Sequence, residues 1–216
     1  MRHLIFGRNI EFSDFLYSEI NSIVSYLPIT KNGTVTYTKD RKGGNTAIQL
    51  GSGNLKTTSN LPTSNIWSFS FWIKTSQTSV GHLFIVGLNN TDGDFYFSIN
   101  DAVLGKLQVG CKTTTSFNVK YVNNVTINDN TWKHIVVILN SNLDALNEIS
   151  VYINSVKQTL TTQGNYNNDK TTAFASKPLY IGGYNNTTFT YVGAIGGAKI
   201  YNRELTQIEI DNLYNE

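Results

Sequence analysis

The chain carries little charge, and its charge is nearly balanced. Lys, Arg, Asp and Glu make up 15% of the 216 residues, against roughly 25% in typical soluble domains. The 17 basic and 15 acidic residues give a formal net charge of +2. A balance this even supplies no broad field that attracts nucleic acid or anionic lipid. We therefore expect neither as a partner.

Cysteine and long apolar runs are also scarce. The single cysteine, Cys111, excludes an intrachain disulfide and a cysteine metal cluster. No apolar run approaches the roughly 20 residues that cross a bilayer, so we expect no membrane insertion. The first ten residues hold no continuous apolar segment, so we expect no secretory signal peptide.

Asn, Thr, Ser and Gly take the place of charge, and they favour strand surfaces and turns over helix faces. Residues 68–74 form the clearest predicted strand, because Phe69, Phe71 and Ile73 lie at alternate positions and so share one face. Further strands are predicted over residues 34–38, 46–50, 82–88, 95–99, 106–112, 132–139, 149–153, 179–184 and 191–201.

The two ends of the chain depart from the strand period. Residues 1–22 carry apolar side chains at helical spacing, which predicts a short amphipathic helix or an irregular arm. Near the other end, Thr206 and Glu209 match a capping box and predict a short helix. The apolar positions at helical spacing are Phe12, Phe15, Leu16 and Ile20 in residues 1–22, followed by Ile23 and Val24, and Leu205, Ile208, Leu213 and Tyr214 near the C-terminal end.

Many strands, polar turns and one short helix favour two packed antiparallel sheets over a βαβ fold. The chain length suits one domain of that kind. The side chains expected to be largely buried between the sheets are Phe69, Phe71, Ile73, Trp132, Val136, Val151, Ile153, Ile181 and Ile200.

Seven segments together resemble, in order, the strands of the laminin-G-like, concanavalin A-like lectin/glucanase family. They are IVSYLP at 23–28, DRKGGNTAIQL at 40–50, WSFSFWIK at 67–74, NTWKHIVV at 130–137, VYIN at 151–154, LYIGG at 179–183 and AIGGAKIYNREL at 194–205. The resemblance implies an all-β, two-sheet antiparallel jelly-roll sandwich over residues 23–216. Residues 1–22 then form a separate N-terminal arm, and the short helix closes the domain.

The resemblance leaves function open, because this fold hosts lectins, adhesion modules, glycoside hydrolases and virion decorations. A glycosidase needs two carboxylates that face one cleft, and the glycanase branch carries them on a strand written E-x-D-x-x-E. This sequence has no such strand. Asp92 and Asp94 have suitable spacing, but they flank Gly93 in a predicted turn. We therefore expect no enzyme, and we keep a divergent glycoside hydrolase as the alternative.

Metal binding rests on the same turn. Residues 89–94 offer several hard oxygens at close spacing, as calcium requires, and Asp92 and Asp94 are the candidate ligands. The competing interpretation, which we favour, is an Asx-rich hairpin turn. Gly196 and Gly197 stand where the family often has paired aspartates, which removes carboxylates from an inherited calcium site. We expect no cofactor, with a structural calcium as the alternative.

Two Asn-rich loops are the candidate ligand sites, because each sets a tyrosine beside amides suited to polar recognition. Their residues are Tyr166, Asn167, Asn168 and Asp169 in the first loop, and Tyr184, Asn185 and Asn186 in the second. Trp72 is interpreted as structural. Cys111 is interpreted as a buried thiol in phase with its apolar strand, and His134 as a hydrogen-bonded structural histidine.

The sequence thus predicts a non-catalytic module that binds a glycan or a surface protein. A virion surface protein, such as a phage fibre or decoration protein, is the narrower expectation, and a purely structural scaffold is a further alternative. The expected location is the virion surface or the cell exterior. The apolar residues of 1–22 must be buried somewhere, so we expect this arm to join a homo-oligomer or a larger assembly.

Overall fold

The computed structural model describes residues 17–20, 23–87, 91–163, 169–184 and 189–216. These residues form two sheets packed face to face and one C-terminal helix, which confirms the predicted jelly-roll sandwich. Sheet 1 holds β1 (Tyr17–Ile20), β2 (Ile23–Tyr26), β4 (Val35–Thr38), β5 (Ala47–Leu50), β7 (Ile66–Lys74), β12 (Lys133–Asn140), β13 (Ile149–Ile153), β14 (Val156–Lys157) and β17 (Gly193–Tyr201). Sheet 2 holds β3 (Ile29–Asn32), β6 (Asn54–Thr57), β8 (Gly81–Val86), β9 (Phe95–Ile99), β10 (Leu107–Lys112), β11 (Phe117–Val122), β15 (Leu160–Thr162) and β16 (Leu179–Ile181).

The core lies between the inner faces of the two sheets and is rich in phenylalanine. Phe69 and Phe71 of β7 point into it, and Phe84 of β8 and Phe97 of β9 meet them from sheet 2. The Phe69 and Phe97 rings pack edge to face with centroids 5.0 Å apart. Seven of the nine expected core side chains belong to this cluster: Phe69, Phe71, Ile73, Val151, Ile153, Ile181 and Ile200.

Two expected core residues lie elsewhere, because β12 uses both of its faces. Ile135 of β12 pairs with Phe71 and points into the core, so its neighbours in sequence point outward. Val136 is buried on that outer face, where it packs under the C-terminal helix. Trp132, just before β12, is only half-buried, so its assignment to the core was wrong.

The predicted C-terminal helix is α1 (Gln207–Asn215), and its capping box is present. The Thr206 hydroxyl accepts a hydrogen bond from Glu209 N, and Thr206 N donates to Glu209 Oε2 at 2.8 Å. A side-chain hydrogen bond from Arg203 and these contacts lower the pKa of Glu209 to about 2. Ile208, expected on the buried face, is 72% exposed instead; Ile210 and Leu213 anchor the helix.

The N-terminal region differs from the helical expectation where it is described. Ile20 lies on β1 in place of the expected helix or irregular arm. Ile23 and Val24 lie on β2, where the family resemblance placed a strand, and β2 pairs antiparallel with β1. β1 also pairs, in parallel, with residues Lys199–Tyr201 of β17. Unpaired backbone groups on that edge of β17 are satisfied by β1, and this pairing outweighs a local helical spacing. Phe12, Phe15 and Leu16 lie outside the described residues.

Candidate functional site

Only part of the two predicted ligand loops is described. Tyr166, Asn167, Asn168, Asn185 and Asn186 lie outside the described residues. Their neighbours in sequence, Asp169 and Tyr184, lie within them.

Asp169 and Tyr184 lie at opposite ends of sheet 2. β16 runs antiparallel to β8, with Leu179 opposite Val86 and Ile181 opposite Phe84. Tyr184 follows the end of β16 and so lies near the start of β8. Asp169 accepts a hydrogen bond from the Thr115 hydroxyl, beyond the end of β10. The structure therefore does not bring Asp169 and Tyr184, the described residues of the two predicted loops, into one site.

The Asp92–Asp94 turn joins neighbouring segments at the Asp169 end. Asp92 Oδ2 accepts hydrogen bonds from the hydroxyls of Thr114, at 2.9 Å, and Thr172, at 2.7 Å. Asp94 has a fully buried side chain that forms an ion pair of 2.7 Å with Lys177 Nζ. Within the described ranges, no three His, Cys, Asp or Glu side chains come together as a metal site. These contacts join the turn to neighbouring segments, and a structural calcium at Asp92 and Asp94 stays an alternative.

Replacing Lys177 with methionine tests this structural role of Asp94. The substitution keeps the aliphatic stem and removes the charge, so it leaves a buried carboxylate without its cation. We expect the free energy of unfolding in urea to fall by about 3 kcal/mol. Lys157→Met, at an exposed position, should change it by less than about 0.5 kcal/mol. Equal losses of unfolding free energy in the two variants would show that the ion pair of Asp94 with Lys177 does not stabilise the fold.

Cys111 and His134 are of the residue types that form a nucleophile and its base, but they are buried and lie on different sheets. Cys111 lies on β10 of sheet 2, where burial and then the nearby Glu148 carboxylate raise the pKa of its thiol well above the usual range. His134 lies on β12 of sheet 1, with Nε2 2.9 Å from Ser70 Oγ. The expectations of a buried thiol and a structural histidine are therefore confirmed.

The outer face of sheet 2 carries a continuous cross-strand row of side chains. Tyr180 of β16 stands opposite both Lys56 of β6 and Ile85 of β8, and Ile85 stands opposite Tyr96 of β9. Tyr96 in turn faces Gly110 of β10, where an added Cβ would lie 2.2 Å from the tyrosine ring. The glycine therefore lets the Tyr96 ring lie flat across the next strand.

Two tyrosines of this row and three aromatic side chains next to it form a group that we call the aromatic platform. Its members are Tyr96, Tyr180, His82, Tyr184 and Phe189. The Tyr180 and Tyr184 ring centroids are 4.5 Å apart. His82 lies 5.6 Å from Tyr96 and 5.2 Å from Phe189. Tyr96 and Tyr180 are nearly buried and form the base, while His82 and Tyr184 are half-buried.

Phe189 is the exposed member of the platform and is held in a costly backbone conformation. Its side chain is 52% exposed and its φ is +57°. The left-handed region costs a bulky L-residue roughly 1–2 kcal/mol. A hydrogen bond of 2.7 Å from His82 N to the Phe189 carbonyl fixes the segment against β8. An aromatic ring is thus kept in solvent at some cost to stability, as is typical of functional positions.

Polar groups adjoin the platform on the neighbouring strands. Gln108 Nε2 donates to Tyr96 Oη at 3.0 Å and to Asp101 Oδ2 at 2.8 Å. The Ser98 hydroxyl donates to the same Asp101 oxygen at 3.2 Å. The outer face of sheet 2 therefore presents aromatic rings beside an ordered amide and carboxylate network.

This architecture matches a known family. The model of the concanavalin A-like lectin/glucanases superfamily matches residues 42–211. The chain belongs to this superfamily. No curated protein matches it in sequence.

Solved structures with the same fold include several binding domains. The receptor binding domain of botulinum neurotoxin C/D mosaic serotype is 14% identical, with a TM-score of 0.65; the match covers 92% of this chain and 50% of that one. The heptameric SAP-like pentraxin from Limulus polyphemus is 14% identical, with a TM-score of 0.56 and coverage of 86% and 81%. This superfamily member thus spans about half the length of the toxin domains it matches.

A third similar structure is domain 4 of AbnA, a GH43 extracellular arabinanase from Geobacillus stearothermophilus, in complex with arabinotriose. It is 19% identical, with a TM-score of 0.60, and the match covers 87% of this chain and 88% of that one. At these identities the likeness shows the fold alone. In the described part of this superfamily member, no helix is long and apolar enough to cross a membrane.

Proposed function

We propose that the protein is a non-catalytic binding module that takes a glycan on the aromatic platform of sheet 2. The observation that carries the proposal is Phe189, an exposed ring kept at positive φ beside His82. Half of this ring is exposed to solvent, and a strained backbone that holds an exposed aromatic ring supports a role in ligand contact.

Glycan chemistry fits the surface around this ring. A sugar presents an apolar C–H face and a rim of hydroxyl groups, so it suits aromatic rings set beside a few fixed polar groups. Phe189, Tyr184 and His82 offer the rings. Gln108 and Asp101 offer hydrogen-bonding groups held in place by their neighbours. The arabinanase domain with bound arabinotriose shows that a glycan ligand is compatible with this fold.

The same face lacks the groups that hydrolysis of a glycosidic bond requires. A glycosidase places two carboxylates on either side of that bond. The eight strands of sheet 2, over their described ranges, contain no Asp or Glu. Asp101 lies beyond the end of β9 and already accepts two hydrogen bonds. This absence of paired carboxylates supports binding over catalysis.

A glycan array probed with the full chain and with Phe189→Asn tests the proposal. Asn adopts positive φ more readily than Phe, so the variant should fold with a stability within about 1 kcal/mol of the original. We expect the original chain to bind a set of glycans and Phe189→Asn to bind them at least about tenfold more weakly, a loss of about 1.4 kcal/mol. Phe189→Tyr, which keeps the ring, is the control and should retain binding. Unchanged binding by Phe189→Asn would contradict the proposal.

A glycan partner would place the module on or near a cell or particle surface. An extracellular location agrees with the arabinanase domain, which comes from an extracellular enzyme. The narrower expectation of a virion fibre or decoration protein stays a prediction. So does assembly through residues 1–22.

A further inference from the structure

A concave site lies on the side of the sandwich opposite to the platform, on the outer face of sheet 1 beside α1. It is a cavity of about 320 Å³, which is near the lower end of the size range of small-molecule sites. Trp72 and Trp132 form its walls, so we call it the Trp72–Trp132 cleft. The remaining lining residues are Asp40, Arg41, Lys42, Thr46, Ser70, Gly196, Gly197, Lys199, Leu213 and Glu216.

Two glycines at the irregularity of β17 keep the cleft open. A Cβ on Gly196 would lie 3.9 Å from Trp132 Cη2 and 3.4 Å from Ala47 Cβ. A Cβ on Gly197, whose φ is +56°, would lie 3.6 Å from Trp72 Cδ1. The pairing of β17 with β7 shifts register at this point. Side chains at positions 196 and 197 would therefore fill the space between the two indoles, and the glycines leave it open.

The Trp72 wall is fixed by its neighbours. The Tyr214 ring stacks on it, with centroids 5.6 Å apart and planes 18° from parallel. The Arg41 guanidinium lies 4.3 Å from the ring centroid, within the range of a cation–π contact, and Nη2 donates to the Tyr214 carbonyl at 3.1 Å. Arg41 and Tyr214 therefore cover the Trp72 ring and hold this wall in place, which reduces the entropy lost on binding. Trp132 is the indole against which a ligand would lie.

The charges of the cleft leave a cationic excess at its rim. The Asp40 carboxylate already accepts hydrogen bonds from Lys42 N, at 2.8 Å, and Gly44 N, at 3.0 Å. Glu216 forms an ion pair with Lys199. The three cationic side chains of the lining, Arg41, Lys42 and Lys199, outnumber its two carboxylates, Asp40 and Glu216, which leaves one net positive charge.

Two cationic side chains of the cleft also act on the buried His134 ring. Burial is the main cause of its lowered pKa, and the charges of Arg41 and Lys199 lower the pKa further, to about 4. His134 contacts the Trp72 ring, with centroids 5.0 Å apart. Arg41 and Lys199 thus lie near enough to His134 to disfavour its protonation.

We propose that the Trp72–Trp132 cleft binds a sugar unit that carries a carboxylate, such as a uronic or sialic acid. The sugar ring lies against the Trp132 indole, and its carboxylate faces Lys42 and Arg41, where charge-assisted hydrogen bonds form. The cavity volume suits one sugar unit. This site is distinct from the platform, because the two surfaces lie on opposite sheets. Its ligand also differs, because it carries a negative charge.

Calorimetric titration of the full chain with matched pairs of sugars tests the ligand class. The pairs are sialyllactose with lactose, and tri-galacturonic acid with its methyl ester. At least one acid should bind at least about tenfold more tightly than its neutral partner. Binding should weaken severalfold between 50 and 500 mM salt, because the ion pairs lie at an exposed rim. Failure of both acids to bind, or equal binding of acid and neutral partner, would overturn the proposal.

Variants then locate the binding. Gly196→Leu fills the cleft, and Lys42→Gln removes an exposed rim charge without touching the core; each should weaken acid binding about tenfold or more. Lys157→Gln removes the same charge elsewhere on sheet 1 and should change nothing. Acid binding unaffected by both cleft variants would refute the assignment. Because Phe189 lies on the other sheet, loss of neutral-glycan binding in Phe189→Asn is a separate readout that tests only the platform.

Discussion

Replacing Phe71 with alanine is expected to lower the free energy of unfolding by about 3–5 kcal/mol. The Phe71 side chain is 0% exposed and lies at the centre of the sandwich. Its ring is 4.6 Å from Phe84 and parallel to Phe97 within 8°. Truncation therefore leaves a cavity between two sheets that cannot close without moving whole strands. Urea unfolding followed by tryptophan fluorescence measures the change.

Trp132→Ala is the control for this experiment. It removes a larger side chain, but one that is half-buried at the cleft instead of in the core. We expect a loss below about 2 kcal/mol, because solvent and the cleft already border the ring. If Trp132→Ala lowered the free energy of unfolding as much as Phe71→Ala does, Trp132 would belong to the core, and the register of β12 would be contradicted.

Stability is also expected to fall between pH 6.5 and pH 4, by roughly 3 kcal/mol. His134 is 1% exposed, and burial lowers its pKa from 6.5 to about 4. In this window the unfolded chain binds a proton at His134 and the folded chain does not, so acid favours unfolding. Each pH unit across the window removes about 1.4 kcal/mol. His82, whose pKa burial also lowers, acts in the same direction.

His134→Gln is the matched variant for the acid experiment. It should lose most of the slope of unfolding free energy against pH between 6.5 and 4, and a smaller slope from His82 should persist. The carboxylates with lowered pKa values, such as Asp129 and Asp211, lose their contribution below their usual range near 3.8. A wild-type stability that is flat from pH 6.5 to pH 4 would show that His134 is not held neutral by the fold.

Sequence alone predicted the strands that carry a local apolar pattern. β7 was found because Phe69, Phe71 and Ile73 lie at alternate positions and face the core, and β13 shows the same alternation. β12 was found from its nearly continuous apolar run. The terminal helix was found because Thr206 and Glu209 form a local capping box. In each case the information lies within a few neighbouring residues.

The strands that sequence did not predict depend on partners far away in the chain. β6 carries the polar sequence NLKT and forms because it pairs with β3 on one side and β16 on the other. β1 forms against the edge of β17. The same limit applies to Trp132, since a continuous apolar run does not tell which residues face the core.

The aromatic platform could not be predicted as a site, because its residues come together only in the folded sheet. Tyr184 was a candidate because a tyrosine stands beside amides in its own loop. Phe189, His82 and Tyr96 were not, because they meet Tyr180 and Tyr184 only through the order of β16, β8 and β9 in sheet 2. A local signal for Phe189 is absent, as its positive φ is a property of the folded backbone.

Chemical-shift mapping on the ¹⁵N-labelled chain, titrated with the strongest neutral ligand from the glycan array, tests glycan binding at the platform most directly. If the platform binds the glycan, the largest amide shifts occur at His82, Tyr184 and Phe189 and at their neighbours on β8, β9 and β16. The glycan is then recovered intact after the titration. Shifts confined to sheet 1, or release of shorter sugars during the titration, would contradict non-catalytic binding at the platform.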